Sequence, residues 1–192
     1  MTTGPPAGNP PATAPPEATR RAASIVLIAT GDGKGKTTAA MGTALRAVAR
    51  GWGVCVVQFV KSGKWNSGEA RVLADLGADW HTIGDGFTWE SEDLEHSAEM
   101  ARAAWEVARG AMSSDRYRLV VLDEVTYPVN WGWLDKDEVA ACIAARAPQV
   151  NVFLTGRDAP DNLVEIADTV TDMRNLKHAY DAGIRAAKGI DF

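Results

Sequence analysis

The sequence predicts an α/β protein, a three-layer domain built around a mostly parallel sheet, over residues 24–192. Short runs that are apolar throughout alternate with segments of helical periodicity, and a glycine-rich loop joins the first run to the first helix. Strands that are apolar on both faces are typical of parallel sheets covered by helices on both sides. The chain has 192 residues, 46% hydrophobic and 23% charged, which suits one such domain.

The elements follow from these patterns in chain order. Apolar runs predict strands at residues 25–28, 54–60, 119–122 and 150–154, and further short strands are expected at residues 80–83 and 169–173. Helical periodicity predicts helices at residues 36–50, 67–76, 91–112 and 162–167. Gly51 is placed to end the first helix, since glycine favours the position just after a helix. Asp135, with Glu138 three residues later, forms a capping-box pattern that predicts a further helix.

Residues 1–23 differ from the rest of the chain. They contain six of the nine prolines, at positions 5, 6, 10, 11, 15 and 16. A segment with so few groups to bury is expected to be a disordered tail. It would act either as a dispensable leader or as a functional arm.

Composition excludes several classes of function. The net charge of −5 gives no broad basic field, so we expect no binding to nucleic acid or to an anionic membrane. No apolar run approaches the ~20 residues that span a bilayer, and the N-terminus lacks a secretory signal. Cys55 and Cys142 lie in apolar contexts without metal-ligand spacing. The simplest interpretation is a cytoplasmic protein.

The glycine-rich loop at residues 31–37 predicts the binding of a nucleoside triphosphate. Its glycines let backbone N–H groups converge on phosphate oxygens, and the following helix adds its positive N-terminal end. Lys36 would supply a positive charge and the Thr37 hydroxyl would ligate Mg²⁺. The usual pattern has its first glycine where Thr30 stands, so the match is imperfect. A strand before the loop and a helix after it predict a P-loop NTPase-like (RecA-like) fold.

Polar residues follow two of the predicted strands. Asp123 and Glu124 end the strand at 119–122, and Arg157 follows the strand at 150–154. Ligands in open α/β sheets bind at the carboxyl ends of the strands, so these side chains are expected near the loop. Either carboxylate could hold a metal ion there, and the residues alone do not decide between them.

Several motifs together resemble those of the ATP:corrinoid adenosyltransferases of the cobalamin pathway. They are TGDGKGKTT at 30–38, VQFVK at 57–61, GFTWE at 86–90, VLDEVTY at 121–127, LTGR at 154–157, ADTVTDMR at 167–174 and the stretch 177–192. The resemblance implies transfer of the 5′-deoxyadenosyl group of ATP to the Co(I) centre of a corrinoid, with triphosphate as the leaving group. It also implies that ATP lies reversed in the loop, with C5′ facing the cobalt.

The resemblance assigns roles to particular residues. The implied ATP-binding residues are Gly31, Asp32, Gly33, Lys34, Gly35, Lys36, Thr37, Thr38, Arg46 and Arg157. Magnesium would be held by Thr37 with Asp123 or Glu124. The implied catalytic residues are Lys36, Glu124, Phe87 and Trp89. Arg46 would contact either the nucleotide or only a neighbouring acid, and the residues alone do not decide between these alternatives.

Phe87 and Trp89 carry the expected corrinoid-binding role. From the residues alone, two aromatics in a loop-like setting favour a local hydrophobic plug. The resemblance implies instead that they pack on the lower face of the corrin, displace the axial ligand and make Co(II) easier to reduce. Trp65, Trp131 and Trp133 would either line the corrinoid pocket or pack in the core.

The resemblance further implies a homodimer and a reducing flavoprotein as partner. Two other functions remain possible for the loop: a phosphotransferase or NTPase that cleaves at the γ-phosphate, and a non-catalytic nucleotide-binding module. Asp32 stands where relatives often have Asn, so either a donor is lost or its side chain points away from the triphosphate.

Overall fold

The computed structural model describes residues 21–61, 67–84 and 94–191. Its strands are β1 (Val26–Thr30), β2 (Val54–Phe59), β3 (Asp79–Ile83), β4 (Leu119–Asp123), β5 (Asn151–Thr155) and β6 (Thr169–Asp172). Its helices are α1 (Lys36–Ala49), α2 (Gly68–Asp75), α3 (Leu94–Ser113), α4 (Thr126–Asn130), α5 (Lys136–Ala144) and α6 (Asp161–Ile166). A 3₁₀ turn follows at Tyr180–Ala182.

The six strands form one sheet in the order β3-β2-β4-β5-β1-β6, and every neighbouring pair is parallel. From β1 the chain moves through α1 and α2 toward the β3 edge, and through α3, α5 and α6 it moves back toward the β6 edge. Right-handed crossovers in opposite directions place the two groups of helices on opposite faces. The predicted three-layer α/β fold is therefore confirmed, with a sheet that is parallel throughout the described residues.

The core lies on both faces of the sheet because successive side chains of a strand point to opposite sides. In β2, Val54 and Val56 pack with α1 and α2, whereas Cys55, Val57 and Phe59 pack with α3. All six β2 residues are buried. Because both faces of such a strand are covered, apolar residues occupy successive positions and do not alternate with polar ones. This agrees with the apolar runs in the sequence.

The predicted elements agree with the structure to within a few residues, with two differences. Helix α4 was not predicted, and β6 is exposed along its whole length although a sheet covered on both faces was expected. The predicted start of the helix at 91–112 and most of the proline-rich tail lie outside the described residues. None of the described helices is long and apolar enough to cross a membrane.

Two helix ends form as their residues predict. Asp135 caps α5, since its carboxylate accepts hydrogen bonds of 2.9 Å from the backbone N–H groups of Asp137 and Glu138. After α1, the N–H groups of Gly51 and Trp52 bond back to the carbonyls of Val48 and Ala47, at 2.8 and 3.1 Å. This ending needs a left-handed residue, and Gly51 has φ 72°.

Two glycine-to-alanine changes are expected to act with opposite signs. Gly51→Ala should destabilise the protein by about 1 kcal/mol, because an L-residue at this left-handed position is strained. Gly42→Ala should stabilise it by about 0.5–1 kcal/mol, because position 42 is an exposed helix interior with open space for a methyl group. Urea unfolding of both variants measures this, and equal signs would contradict the ending described for α1.

Candidate active site at the phosphate loop

The phosphate loop lies between β1 and α1, and two of its three glycines adopt conformations that other residues rarely adopt. Gly31 has φ 92°, and Gly35, the residue before α1, has φ 117°. Thr30 still belongs to β1, and its hydroxyl accepts a 3.1 Å hydrogen bond from the N–H of Ala159. Thr30, which stands where the usual pattern has its first glycine, therefore connects the start of the loop to the segment after β5.

The segment after β6 supports the loop from outside. The N–H of Gly33 donates to the carbonyl of Met173 at 2.6 Å, and the N–H of Met173 donates to the carbonyl of Thr30 at 2.8 Å. A Cβ at Gly33 would come within 2.6 Å of the Met173 carbonyl oxygen. Glycine is therefore required at position 33 for the close approach of these two backbone segments.

Lys36 folds back onto the loop. Its Nζ donates to the carbonyls of Gly31 at 2.6 Å and Gly33 at 2.9 Å, and only 9% of the residue is exposed. Burial lowers the pKa of Lys36, although the nearby carboxylate of Glu124 opposes this shift. The ammonium is thus held at the base of the loop by carbonyl oxygens.

Asp123, at the end of β4, is the centre of a buried hydrogen-bond network. Its Oδ1 accepts from the hydroxyls of Thr37 at 2.9 Å and Thr155 at 2.7 Å. Its Oδ2 accepts from Gln58 Nε2 at 2.8 Å and pairs with Lys61 Nζ at 3.1 Å. Both carboxylate oxygens are therefore fully used by protein donors from α1, β2 and β5.

These partners keep the buried carboxylate charged. Burial opposes ionisation of Asp123, but the Lys61 ammonium and the hydrogen bonds from Gln58, Thr155 and Thr37 hold its pKa below the usual value. For Lys61 the balance is similar: burial lowers its pKa, and Asp123 and Glu124 together raise it. Both groups are ionised at neutral pH.

Glu124, the next residue, differs from Asp123 in its backbone conformation and in its hydrogen bonding. Its backbone has φ 64°, its N–H donates to the Thr155 hydroxyl at 2.9 Å, and its buried Oε2 has no hydrogen-bond partner. Burial, reinforced by the adjacent charge of Asp123, raises the pKa of Glu124 to about 7. An unpartnered carboxylate oxygen in a left-handed backbone position is a costly arrangement, of the kind that accumulates at functional sites.

A cavity of about 210 Å³ lies over the loop. It is lined by residues 34–38 together with Lys61, Glu69, Glu124 and Asp191. Asp191 reaches it from the C-terminal segment and pairs with Lys34 Nζ at 2.6 Å. Within the described part of the chain, no group of three or more His, Cys, Asp or Glu side chains could hold a metal ion unaided.

The two arginines expected to bind ATP, Arg157 and Arg46, differ in their distance from the phosphate loop. Arg157 follows β5, and its Nε lies 3.7 Å from the exposed Asp32 carboxylate, so Arg157 partly offsets the charge that Asp32 adds to the loop. Arg46 is exposed in the last turn of α1. Ten residues of helix separate it from Lys36, about 15 Å, so the structure does not bring Arg46 to the loop. Its contact with ATP stays a prediction.

The aromatic residues expected near the corrinoid are only partly described. Trp131 is 39% exposed and lies between Tyr127 and Trp133, with ring-centroid distances of 5.4 and 4.7 Å. Trp131 is thus a surface residue and does not pack in the core. Phe87, Trp89 and Trp65 lie outside the described residues, so their expected roles stay predictions.

Three residues of the network were not assigned a role from sequence: Gln58, Lys61 and Thr155. A signal existed for two of them, since Gln58 and Thr155 are polar residues within buried strands, and buried polar groups require partners. Lys61 follows a strand at its carboxyl end, where ligands bind in such sheets.

A parallel α/β sheet with a glycine loop, an inward lysine and a threonine bonded to the acid of a second strand defines the phosphate-loop class of nucleotide-binding proteins. Comparison with known proteins narrows this class. Residues 22–192 match the model of the family described as ATP:corrinoid adenosyltransferase BtuR/CobO/CobP. The chain belongs to this family.

Curated relatives agree with this assignment. The corrinoid adenosyltransferase of Escherichia coli K12 is 42% identical over 168 residues, covering 88% of this chain and 85% of that protein. Corrinoid adenosyltransferase CobA of Salmonella typhimurium LT2 is similar to the same extent. The corrinoid adenosyltransferase of Pseudomonas aeruginosa is 41% identical over 170 residues, covering 88% of this chain and 83% of that protein.

Thr155→Val should test the Asp123 network through stability. The change keeps the side-chain shape but removes a donor to Asp123 and an acceptor for the N–H of Glu124, which should cost about 1–3 kcal/mol. Thr171→Val, on the exposed strand β6, should stay within about 0.5 kcal/mol of the native protein. Urea unfolding compares the two, and similar values would show that the network adds no stability.

Proposed function

We propose that this chain transfers the 5′-deoxyadenosyl group of ATP to the Co(I) centre of a corrinoid, releasing triphosphate, in adenosylcobalamin biosynthesis and salvage. The observation that carries the proposal is the cavity over the phosphate loop, in a chain of this family. Three lysines, Lys34, Lys36 and Lys61, line it together with Glu124. This charge arrangement suits the binding of a polyphosphate.

The proposed reaction is a displacement at carbon. Co(I) attacks C5′ of the ribose, the cobalt–carbon bond forms, and the C5′–O bond breaks with its electron pair passing to triphosphate. Cobalt is the nucleophile, so the protein needs no side-chain nucleophile or general base. Its tasks are to hold C5′ in line with the cobalt and to stabilise charge on the departing oxygen.

The residues of the loop fit the second task. The triphosphate would be surrounded by N–H groups of residues 31–38, apart from that of Gly33, which donates to Met173, and by the ammonium groups of Lys34 and Lys36. Lys36 now bonds to two loop carbonyls, and phosphate oxygens would offer it charge-assisted bonds in their place. Arg157 adds positive charge at the side of the loop.

The site also fits a magnesium ion. The buried Glu124 Oε2 has no partner, whereas both oxygens of Asp123 are already bonded to protein donors. We therefore assign direct ligation to Glu124 and Thr37, with Asp123 orienting the Thr37 hydroxyl. Magnesium binds through one or two carboxylates plus phosphate oxygens, which agrees with the small number of protein ligands here. The ion would neutralise charge on the triphosphate.

The corrinoid would bind beside this cavity through Phe87 and Trp89. In sequence they follow β3, whose carboxyl end at Ile83 lies on the same side of the parallel sheet as the carboxyl end of β1, where the phosphate loop begins. Two aromatic rings against the lower corrin face would exclude water and the axial ligand. We further propose that the protein is a cytoplasmic homodimer. A reducing flavoprotein would supply the electron that reduces Co(II) of the corrinoid to Co(I).

An anaerobic assay with ATP, Mg²⁺, reductant and cobalamin tests the proposed activity. The native protein should form one cobalt–carbon product and one triphosphate per turnover. Lys36→Ala should lower the rate about a hundredfold or more, because it removes a charge from the leaving-group site. Lys136→Ala, at an exposed position of α5, should leave the rate unchanged. Release of ADP and phosphate without adenosylated corrinoid would instead identify a phosphotransferase or NTPase.

Trp89→Ala should separate reduction from transfer. If Trp89 displaces the axial ligand, the variant should use chemically pre-reduced Co(I) at the native rate and lose activity that starts from Co(II). Trp52→Ala, at the opposite end of the sheet, serves as the matched control. Circular dichroism checks folding, and loss of folded structure in Trp89→Ala would favour the hydrophobic plug.

A further inference from the structure

The turn that ends β2 has an unusual backbone. Val60 has φ 66°, and the N–H of Lys61 donates to the carbonyl of Phe59 at 2.7 Å, closing a three-residue turn. A β-branched residue with positive φ is strained, and turns of this kind are rare. Such strain persists only where the surrounding structure fixes it, and it accumulates at functional sites.

Gly84, just after β3, fixes this turn. A Cβ at position 84 would lie 2.6 Å from the carbonyl carbon and oxygen of Val60 and 2.7 Å from the carbonyl oxygen of Lys61. Only a residue without a side chain can pack here, so the neighbouring backbone holds the turn in its strained form.

The result of this turn is the placement of Lys61. Its Nζ lies 3.1 Å from Asp123 Oδ2, and its side chain lines the cavity that Lys34, Lys36 and Glu124 also line. An ammonium group has three N–H donors. Asp123 accepts one of them, and Lys61 has no second acceptor among the described residues. Donor capacity therefore remains beside the proposed triphosphate site.

We propose that Lys61 is a third triphosphate-binding lysine, which donates to a phosphate oxygen of the leaving group while it stays paired with Asp123. This inference rests on the proposed function and adds a residue from the turn after β2 to the lysines of the loop. Negative charge grows on the triphosphate as the C5′–O bond breaks, so a fixed cation there favours departure. The competing explanation is that Lys61 only neutralises the buried Asp123.

Binding of inorganic triphosphate, measured by titration calorimetry in metal-free buffer with EDTA, distinguishes these explanations. Lys61→Gln keeps most of the side-chain length and removes the charge, and should weaken binding about tenfold or more. Lys136→Gln should bind as the native protein does. A folded Lys61→Gln variant that binds within about twofold of the native protein would overturn the proposal.

A second pair of variants covers the case in which Lys61→Gln fails to fold because Asp123 loses its counter-charge. Asp123→Asn removes that buried charge, and without metal its own effect on triphosphate binding serves as the reference. Adding Lys61→Gln to Asp123→Asn should again weaken binding about tenfold. Equal binding by the single and double variants would show that Lys61 serves Asp123 alone.

The two proposals can fail separately. A native protein that forms no adenosylated corrinoid, yet loses triphosphate binding on Lys61→Gln, would refute the proposed reaction and leave the role of Lys61 standing. A native protein that transfers the adenosyl group, with Lys61→Gln binding triphosphate normally, would do the reverse.

Discussion

The buried carboxylate of Asp123 is the interaction on which the arrangement of the site depends. A charge without contact with water is tolerated only when its hydrogen-bonding capacity is satisfied, and removal of one partner of such a group is strongly destabilising. Thr37 brings α1 to this carboxylate, Gln58 and Lys61 bring the end of β2, and Thr155 brings β5. The sheet order places these ends side by side, and the carboxylate sets their spacing.

The same constraint explains why the two adjacent acids, Asp123 and Glu124, have different roles. Asp123 has both oxygens committed to the protein, whereas the next residue turns its backbone into the left-handed region and leaves one oxygen unpaired. Burial, reinforced by the negative charge of Asp123, raises the pKa of Glu124, whereas the partners of Asp123 favour its charged form and hold its pKa low. One acid thus organises the protein, and the other is left available for a ligand.

The parts of this structure that are local in sequence could be predicted, and those that join distant residues could not. Apolar runs ended by glycine or polar residues determined the strands, and Asp135 determined a helix start. Helix α4 was missed because Thr126–Asn130 contains proline and β-branched residues, which are poor helix formers. Tertiary packing overrides this, since the Thr126 hydroxyl donates to the carbonyl of Arg157 at 2.6 Å.

The same distinction applies to the site. The phosphate loop and the pair Asp123 and Glu124 are each contiguous in sequence. Their proximity could be predicted because both follow the carboxyl ends of strands in a parallel sheet. Gln58 and Lys61 reach Asp123 across 65 and 62 residues of chain. The polar character of Gln58 within a buried strand signals that it needs a partner, but a single sequence does not identify Asp123 as that partner. The resemblance of the motifs identified the family, which neither periodicity nor charge could have done.

Three of the cations around the loop already pair with carboxylates. Lys34 pairs with Asp191, Lys61 with Asp123 and Arg157 with Asp32, at 2.6, 3.1 and 3.7 Å. Lys34 and Arg157 are half exposed, and exposed ion pairs contribute only about 0–1 kcal/mol each. Exchange of these carboxylates for phosphate oxygens therefore costs little, whereas Lys61 can stay with the buried Asp123. The exposed acids thus partly neutralise the cations of the loop without preventing their transfer to a ligand.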